Sequence, residues 1–351
     1  MKLKKFIDKK TAWLATTDSS ASIVISSRVR LARNLDKIPF PSRANEAQQT
    51  ESFTRISGAV RGVNHLKGAE ILNLSDYDGV DRQFLMERHL ISHEHAGGGG
   101  VRGLVIGDRE LISIMINEED HIRIQGMQAG IQLKQVWDMI REIDDMLGKN
   151  LPYAFSYDIG YLTACPTNTG TGLRASILVH LPVLVMTEEI DEVLRALGKI
   201  GIVARGLYGE GTRVMGDLFQ ISNQTTLGHS EETIIENLES VCRRIVNREI
   251  KSRKNLFSEN KTGLIDTVYR AFGTLENARR ITFQETMELI SKIKLGIYLG
   301  LKIDARVGVL NELMIVTQPA HIQESMGEIL PAPERDIARA DLIRKRITGS
   351  A

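Results

Sequence analysis

Alternating apolar and polar positions between residues 101 and 127 predict β-structure. The stretch VRGLVIGDRELISIMINEEDHIRIQGM alternates with period two and is interrupted at Gly107 and Asp108. This pattern is typical of an antiparallel hairpin followed by a further strand. The segments 153–168, 175–185 and 211–224 are strand-like in part, so the sheet is expected to extend beyond this hairpin.

Helical spacing of apolar residues appears next and dominates the last third of the chain. One helix is predicted to end at Gly148, with a single apolar stripe formed by Ile131, Val136, Ile140, Ile143 and Leu147. Another is predicted to begin with Thr187 as N-cap, followed by two glutamates in its first turn. From about residue 231 onward helical patterns prevail.

These elements predict an α+β fold in two domains. The first, residues 1–255, would be a largely antiparallel sheet covered by helices. The second, residues 256–351, would be a helical C-terminal domain, and the boundary is placed in the polar stretch KSRKNLFSENKTG.

Composition restricts the classes of partner. The 351 residues include 45 basic and 44 acidic side chains, a formal charge of +1, so no overall field attracts nucleic acid or an anionic membrane. We expect no direct binding to either. Two distant cysteines without CxxC spacing favour neither a disulfide framework nor a structural zinc site, and no signal peptide or long apolar run is visible. We expect a cytoplasmic protein.

Arginines at strand ends and glycine turns suggest a local anion site. Arg28 and Arg30 are two residues apart, so on a strand both side chains emerge from one face. Arg123 follows an acidic segment, Arg174 follows the glycines of TGTGLR, and Arg205 opens RGLYGEG. Guanidinium groups bind phosphate oxygens in bidentate pairs, so together the five predict a triphosphate clamp. Singly, each could pair with a surface carboxylate.

The acids for phosphoryl chemistry are found in INEEDH. No Walker motif GxxxxGK[ST] is present, which excludes the P-loop class. On a strand, the adjacent Glu118 and Glu119 would point to opposite faces, so one could hold magnesium through water and the other could grip a cationic acceptor and take its proton. The alternative for this hexamer is a polar turn after the apolar strand LISIMI.

Four motifs in order resemble the catalytic domain of the phosphagen kinases, the creatine and arginine kinase superfamily. They are SSRVR, NEEDH, CPTNTGTGLRAS and RGLYGE, and the resemblance covers roughly residues 20 to 250. Phosphagen kinases carry a small helical domain ahead of SSRVR, with a loop that closes over a small guanidino substrate, whereas only 25 residues precede Ser26 here. We therefore expect an open site that accepts an arginine side chain within a protein.

The resemblance implies roles for particular residues. Glu119 would be the base that binds and deprotonates the guanidinium, Glu118 would belong to the magnesium shell, Cys165 would lie as a thiolate beside the guanidinium, and Glu210 would be a second acidic contact to the acceptor. The implied ATP contacts are Ser26, Ser27, Arg28, Val29, Arg30, His89, Arg123, Arg174, Ala175, Ser176, Arg205 and Gly206.

The C-terminal segment ERDIARADLIRK is similar to the RDxxRA segment of bacterial protein arginine kinases. This likeness implies a regulatory phosphoarginine pocket formed by Arg335, Asp336, Arg339 and Ala340. Without it, RDIARA is a charged helix face.

The implied function is ATP- and Mg²⁺-dependent phosphorylation of arginines in proteins, which marks them for a Clp-type protease and controls a repressor of stress genes. An activator protein and a homodimer or higher oligomer are further expectations. A small-molecule guanidino kinase and a catalytically inactive adaptor are the alternatives.

Overall fold

The computed structural model describes residues 3–7, 9, 11–15, 23–206 and 214–347. Its centre is an eight-stranded sheet in the order β2-β3-β4-β5-β1-β8-β10-β9, with every neighbouring pair antiparallel. The strands are β1 (Val24–Arg33), β2 (Glu70–Asn73), β3 (Gly103–Ile106), β4 (Ile112–Ile116), β5 (Ile122–Ala129), β8 (Leu173–His180), β9 (Ile202–Arg205) and β10 (Leu218–Asn223). A separate hairpin pairs β6 (Phe155–Ser156) with β7 (Gly160–Tyr161). The predicted antiparallel hairpin and its further strand are confirmed as β3, β4 and β5.

Helices cover one face of the sheet. They are α2 (Glu46–Val60), α5 (Leu133–Gly148), α7 (Ile190–Gly198) and α8 (Glu231–Glu259). Together with the sheet they bury the largest hydrophobic cluster, which includes Val29, Ile124 and Ile177. The predicted stripe is confirmed for Val136, Ile140, Ile143 and Leu147, which lie on α5 and are buried in this cluster, whereas Ile131 precedes the helix and is partly buried. Gly126 of β5 allows this approach, because a Cβ there would lie 2.9 Å from Val136.

The opposite face is covered at its ends and polar in its middle. At the β2–β4 end, α1 (Lys4–Ile7), α3 (Gly79–Glu87) and α12 (Pro319–Met326) contribute to a second cluster. A third cluster joins one end of the central strands to the C-terminal helices. Its residues on the sheet are Ile25, Met127, Leu178 and Leu218. The short helix α4 (His93–Gly97) lies between α3 and β3, and α6 (Pro182–Met186) follows β8.

The C-terminal region is helical, as predicted. It contains α9 (Lys261–Asn277), α10 (Phe283–Tyr298), α11 (Val307–Val316) and α13 (Ala332–Ile347), besides α12. Serine and threonine caps start two of the helices, because Ser230 accepts a hydrogen bond from Thr233 N and Thr282 accepts one from Glu285 N. Residue 255 lies inside α8, and the division into two domains stays a prediction.

The predicted N-cap of α7 is wrong by two residues, since the helix is capped by Glu189. Thr187 lies at the C-terminal end of α6, where its Oγ1 donates to the carbonyl of Val183 at 2.9 Å, and α7 begins only at Ile190. The proline-led turn of α6 extends through the residues before Thr187, so that hydroxyl serves the end of one helix rather than the start of the next.

A buried polar cluster joins the sheet to α10. His180 Nε2 lies 2.7 Å from Ser291 Oγ, which donates to Asp217 at 2.5 Å. One turn further, Lys294 Nζ donates to Asn311 Oδ1 at 2.7 Å, and Asn311 donates to the carbonyl of Leu14. These hydrogen bonds satisfy polar groups that would otherwise be costly to bury at this junction.

Candidate active site

The five arginines predicted to bind a triphosphate lie on one face of the sheet. Arg30 of β1 is the direct cross-strand neighbour of Arg174 on β8. Arg123 of β5 and Arg205 of β9 occupy positions in register with the same side of the sheet. Since side chains on a strand alternate between faces, these registers place all five on the face that is polar in its middle. We call this group of Arg28, Arg30, Arg123, Arg174 and Arg205 the arginine face.

Burial and crowded positive charge lower the pKa values of two of these arginines. Burial lowers the pKa of Arg28 to about 10, and repulsion from Arg174 and Arg123 adds to the effect. Burial, together with repulsion from Arg28, also lowers the pKa of Arg30 well below its usual value. Within the described residues, Arg30 Nε has no hydrogen-bond partner. A polyanion placed on this face would relieve the repulsion and supply acceptors.

Small polar side chains lie between the arginines. Ser176 Oγ accepts hydrogen bonds from Gln220 Nε2 at 2.8 Å and from Arg28 Nε at 3.4 Å. Ser26 lies on the same face, two residues before Arg28. Both serines are thus placed where their hydroxyls accompany the guanidinium groups.

Three of the predicted ATP contacts have side chains on the helix-covered face instead. Val29 and Ala175 are fully buried in its hydrophobic cluster. Ser27 Oγ donates to the carbonyl of Gly130 at 2.8 Å and accepts from Gln132 N at 2.9 Å. The alternation that brings the arginines together therefore turns these side chains away from them.

Glu118 and Glu119 lie in the turn between β4 and β5, not on a strand. Asn117 reverses the chain with φ 58°, and both carboxylates then contact the same guanidinium. Glu118 Oε2 is 2.5 Å from Arg123 Nη1, and Glu119 Oε1 pairs with Arg123 Nη2. The expectation that the two acids occupy opposite faces is wrong, and the polar turn is the structure that forms, because the chain must reverse within these residues.

The two glutamates differ in exposure. Glu118 is buried and also accepts a hydrogen bond from Ser92 Oγ, whereas 41% of the Glu119 side chain is exposed. Partial burial raises the pKa of Glu119, Arg123 opposes this shift, and Glu118 and Asp120 add to it. Glu119 is therefore an accessible carboxylate with raised basicity beside the arginine face.

Cys165 lies in a loop that is tied to this acidic turn. Its Sγ is 3.0 Å from Thr167 Oγ1, and its carbonyl accepts from Thr163 Oγ1 at 2.7 Å. Asn168 Nδ2 donates to Glu119 Oε1 at 3.3 Å. The thiol loop and the predicted base thus share a direct contact.

Asp120 fastens the same two segments at their base. Its buried Oδ1 accepts from Ala164 N at 2.7 Å and from Asn34 Nδ2 at 2.6 Å. The first bond reaches the residue before Cys165, and the second reaches the end of β1. The acidic turn, the thiol loop and the central strand therefore hold a common geometry.

His89 lies beside the arginine face with a strained backbone, φ 59°. Burial, with repulsion from Arg28, lowers its pKa to about 3, so its imidazole is neutral. The imidazole ring packs edge-on against Trp13. The backbone carbonyl of His89 accepts a hydrogen bond from Gln125 Nε2 at 2.7 Å. A contact between His89 and the nucleoside stays a prediction. Gly206 is buried at the end of β9, and Glu210 lies outside the described residues.

Comparison with known proteins identifies the family. A model of the ATP:guanido phosphotransferase C-terminal catalytic domain matches residues 52–252, and a model of the protein-arginine kinase McsB C-terminal domain matches residues 261–351. A protein-arginine kinase of Halothermothrix orenii is 46% identical over 348 residues, 99% of each chain, and one of Symbiobacterium thermophilum is 45% identical over 341 residues, 96% of each chain. The chain belongs to the protein-arginine kinase family. It is a phosphotransferase of the guanidino type.

Solved structures of phosphagen kinases share the fold of this kinase. The duplicated taurocyamine kinase of Schistosoma mansoni, with bound transition state analog components, superposes with a TM-score of 0.61 at 29% identity, covering 68% of this chain and 34% of that one. A lombricine kinase superposes with a TM-score of 0.58 at 26% identity, covering 69% of each chain. These superpositions show that the fold is that of the phosphagen kinases.

Four residues of the kinase site were missed by sequence reasoning. Asp120 and Asn168 lie inside the quoted motifs, where their polar character was the available signal. Asn34 and Ser92 gave none, because their contacts join segments 86 and 26 residues apart. Only the folded chain shows that Asn34 contacts Asp120 and that Ser92 contacts Glu118.

The predicted regulatory residues of the kinase lie on α13, and the structure brings two of them together. Arg339 is buried, donates to the carbonyls of Thr317 and Ile281 at 2.6 and 2.9 Å, and pairs with Asp336 Oδ1 at 2.5 Å. Arg335 is partly exposed, and Ala340 is buried in the C-terminal cluster. Arg339 thus fastens α13 to its neighbours, and a phosphoarginine pocket here stays a prediction.

Among the helices of the described residues, none has the length and apolarity needed to span a bilayer.

Proposed function

We propose that this kinase transfers the γ-phosphoryl group of ATP to arginine side chains of proteins. The observation that carries the proposal is the double role of Arg123, which belongs to the arginine face and pairs with both Glu118 and Glu119. A triphosphate on the arginine face therefore lies next to a carboxylate suited to a guanidinium. The names of the full-length relatives support the choice of acceptor.

The chain's residues supply positioning, charge neutralisation and a base. Phosphoryl transfer depends on these more than on covalent help from the protein. The arginine face neutralises the phosphate oxygens. A guanidinium is a poor nucleophile because its pKa exceeds about 12, and Glu119 binds it and accepts one N–H proton. A bond forms between that nitrogen and the γ-phosphorus, the bond from the γ-phosphorus to the bridging oxygen breaks, and ADP leaves.

Magnesium would be held mainly by the nucleotide. In the described part of the chain no group of three His, Cys, Asp or Glu residues could hold a metal ion. Mg²⁺ at kinase sites is bound by one or two carboxylates together with phosphate oxygens and water. Glu118 fits this role as a buried carboxylate in direct contact with Arg123 of the arginine face. The ion would offset phosphate charge there.

The biological consequences are part of the same proposal. Phosphoarginine on a protein would mark it for a Clp-type protease and would inactivate a repressor of stress genes, with an activator protein engaging the kinase in the cytoplasm. Phosphoarginine binding at Asp336 and Arg339 would regulate a homo-oligomer. The similarity of residues 261–351 to the protein-arginine kinase C-terminal domain supports this part.

An acid-lability assay tests the chemistry. The purified chain is incubated with a basic protein and γ-labelled ATP, and in a parallel reaction with free arginine. We expect label on the protein that is released by acid, because a phosphoramidate hydrolyses there whereas serine and threonine phosphates survive. Label on free arginine alone would favour the small-molecule guanidino kinase, and no transfer at all would favour the inactive adaptor.

A further inference from the structure

The hairpin β6–β7 carries an apolar tip into solvent. The exposed fractions are 51% for Phe155, 100% for Tyr157 and 43% for Ile159. We call residues 155–161 the aromatic hairpin. Single exposed apolar residues are ordinary, but three within five residues on one tip form a patch that favours a binding role.

The base of the aromatic hairpin is firmly anchored. The guanidinium carbon of Arg33 lies 3.5 Å from the ring centroid of Tyr161, and Arg33 is itself buried in an ion pair of 2.7 Å with Asp144. Phe155 packs on Tyr161 with centroids 5.2 Å apart, and Tyr157 packs edge-on against Phe155 at 5.8 Å. The rings of Tyr161, Phe155 and Tyr157 therefore contact one another in that order from the interior to the tip. These contacts hold the exposed side chains in position.

The anchored end is continuous with the candidate active site. Tyr161 and Gly170 exchange backbone hydrogen bonds of 2.8 and 3.3 Å, so β7 is paired with the end of the loop that contains Cys165. Asn34 donates to the carbonyl of Leu162 at 3.0 Å and also to Asp120 of the acidic turn. A chain segment bound at the tip thus lies close to a side chain bound at Glu119.

We infer that the aromatic hairpin docks an apolar side chain of the protein acceptor close in sequence to the arginine that is phosphorylated. The inference rests on the proposed function and names the acceptor segment that suits it. Eight residues separate Tyr157 from Cys165, so the two lie at most about 29 Å apart. An extended acceptor advances about 3.3 Å per residue, and the apolar side chain therefore lies within roughly eight residues of the arginine.

An extended, non-native acceptor segment fits the tip better than a second copy of the kinase. Three side chains of this size bury a few hundred Å², since an aromatic residue buries about 150–250 Å². A stable interface between folded proteins needs about 1,000 Å² or more. A segment whose arginine is already held in the active site needs only a small additional contact, and unfolded segments expose apolar side chains that folded proteins bury.

Two peptides and three proteins test this. One peptide carries a phenylalanine four residues from its arginine, and the other carries serine in its place. The parent is compared with the double variant Tyr157→Ser, Ile159→Ser and with Ile329→Ser, which removes an equally exposed apolar side chain elsewhere, 76% exposed. We expect the parent and Ile329→Ser to favour the phenylalanine peptide by about tenfold in kcat/KM, as for one interfacial aromatic contact. The double variant should lose this preference and keep its rate on the serine peptide.

Equal use of both peptides by the parent, or a preference that survives in the double variant, would overturn the inference. A changed oligomeric state of the double variant with an unchanged peptide preference would assign the tip to a contact between copies and would also overturn it. If the parent phosphorylates neither peptide, the proposed function itself fails. The two failures are therefore distinguishable.

Discussion

At the scale of single residues, Arg123 connects the two halves of the chemistry. One of its guanidinium nitrogens contacts buried Glu118 and the other contacts accessible Glu119. Removing either carboxylate would leave positive charge from the arginine face uncompensated. Because Glu119 is more exposed than Glu118, we propose that Glu119 accepts the proton and that Glu118 positions Arg123 and balances its charge.

Glu119→Gln should lower arginine phosphorylation by at least about a hundredfold, the scale of positioned acid–base catalysis. Nucleotide binding should be retained, because the arginine face is unchanged. Glu94→Gln, which removes an exposed neighbouring carboxylate, is the matched control and should keep normal transfer. Transfer that persists in a folded Glu119→Gln protein would move the base to another residue.

The pH profile of the parent belongs to the same prediction. Burial raises the pKa of Glu119, so its active, ionised form is lost at a higher pH than for an ordinary glutamate. We expect kcat/KM to fall, as pH decreases, through a midpoint above the usual glutamate range. A steady-state titration of transfer between pH 5 and 9 locates this midpoint.

At the scale of elements, α10 contains a buried cation. Lys294 is fully buried, and burial, with repulsion from Arg253, lowers its pKa from 10.5 to about 7. At pH values between about 7 and 10.5, Lys294 binds more protons in the unfolded chain than in the native state. The free energy of unfolding should therefore rise with pH across this interval.

Lys294→Met should remove much of that rise, because the group responsible is absent. Lys292→Met on the same helix removes an exposed ammonium and should keep the slope of the parent. Denaturant unfolding of the three proteins between pH 7 and 10 gives the comparison. Parallel slopes for all three would show that Lys294 titrates normally.

How far the sequence predicts these elements depends on the range of the interactions. The stripe of α5 and the β3–β5 alternation were predicted correctly, since each buries one face and its periodicity is local. The arginine face was predicted as a set, but only the pairing of β1 with β5 and β8 shows that its members are neighbours. The strand placement of Glu118 and Glu119 was wrong and the alternative polar turn is confirmed, because Asn117 adopts φ 58°, which apolar periodicity does not encode.

At the scale of the whole molecule, the C-terminal helices pack on the same side of the sheet as the arginine face. Met127 and Leu178, two residues from the polar middle of their strands, share a cluster with Ile290 and Leu313. A change in the packing of these helices would therefore reach the strands that carry the arginine face.

Free phosphoarginine should stimulate transfer to a protein substrate, or change the oligomeric state, if it binds α13 and prefers the more active state. The response should be lost in Asp336→Asn, which keeps an acceptor for Arg339 but removes the charge that would attract a guanidinium. Asp341→Asn, on the same helix, is the control and should respond like the parent. Transfer assays and light scattering measure both effects, and an identical response of all three proteins would place regulation elsewhere.

The position of β1 in the middle of the sheet has a consequence for how the enzyme is made. Its partner β8 follows roughly 140 residues later along the chain, which a ribosome adds in about 7–30 s at 5–20 residues per second. Arg30 and Arg174 are juxtaposed only when β8 has emerged and paired. The nascent chain thus carries Arg28 and Arg30 long before Arg174 can lie beside them, and the arginine face is complete only after Arg205 of β9 has been added.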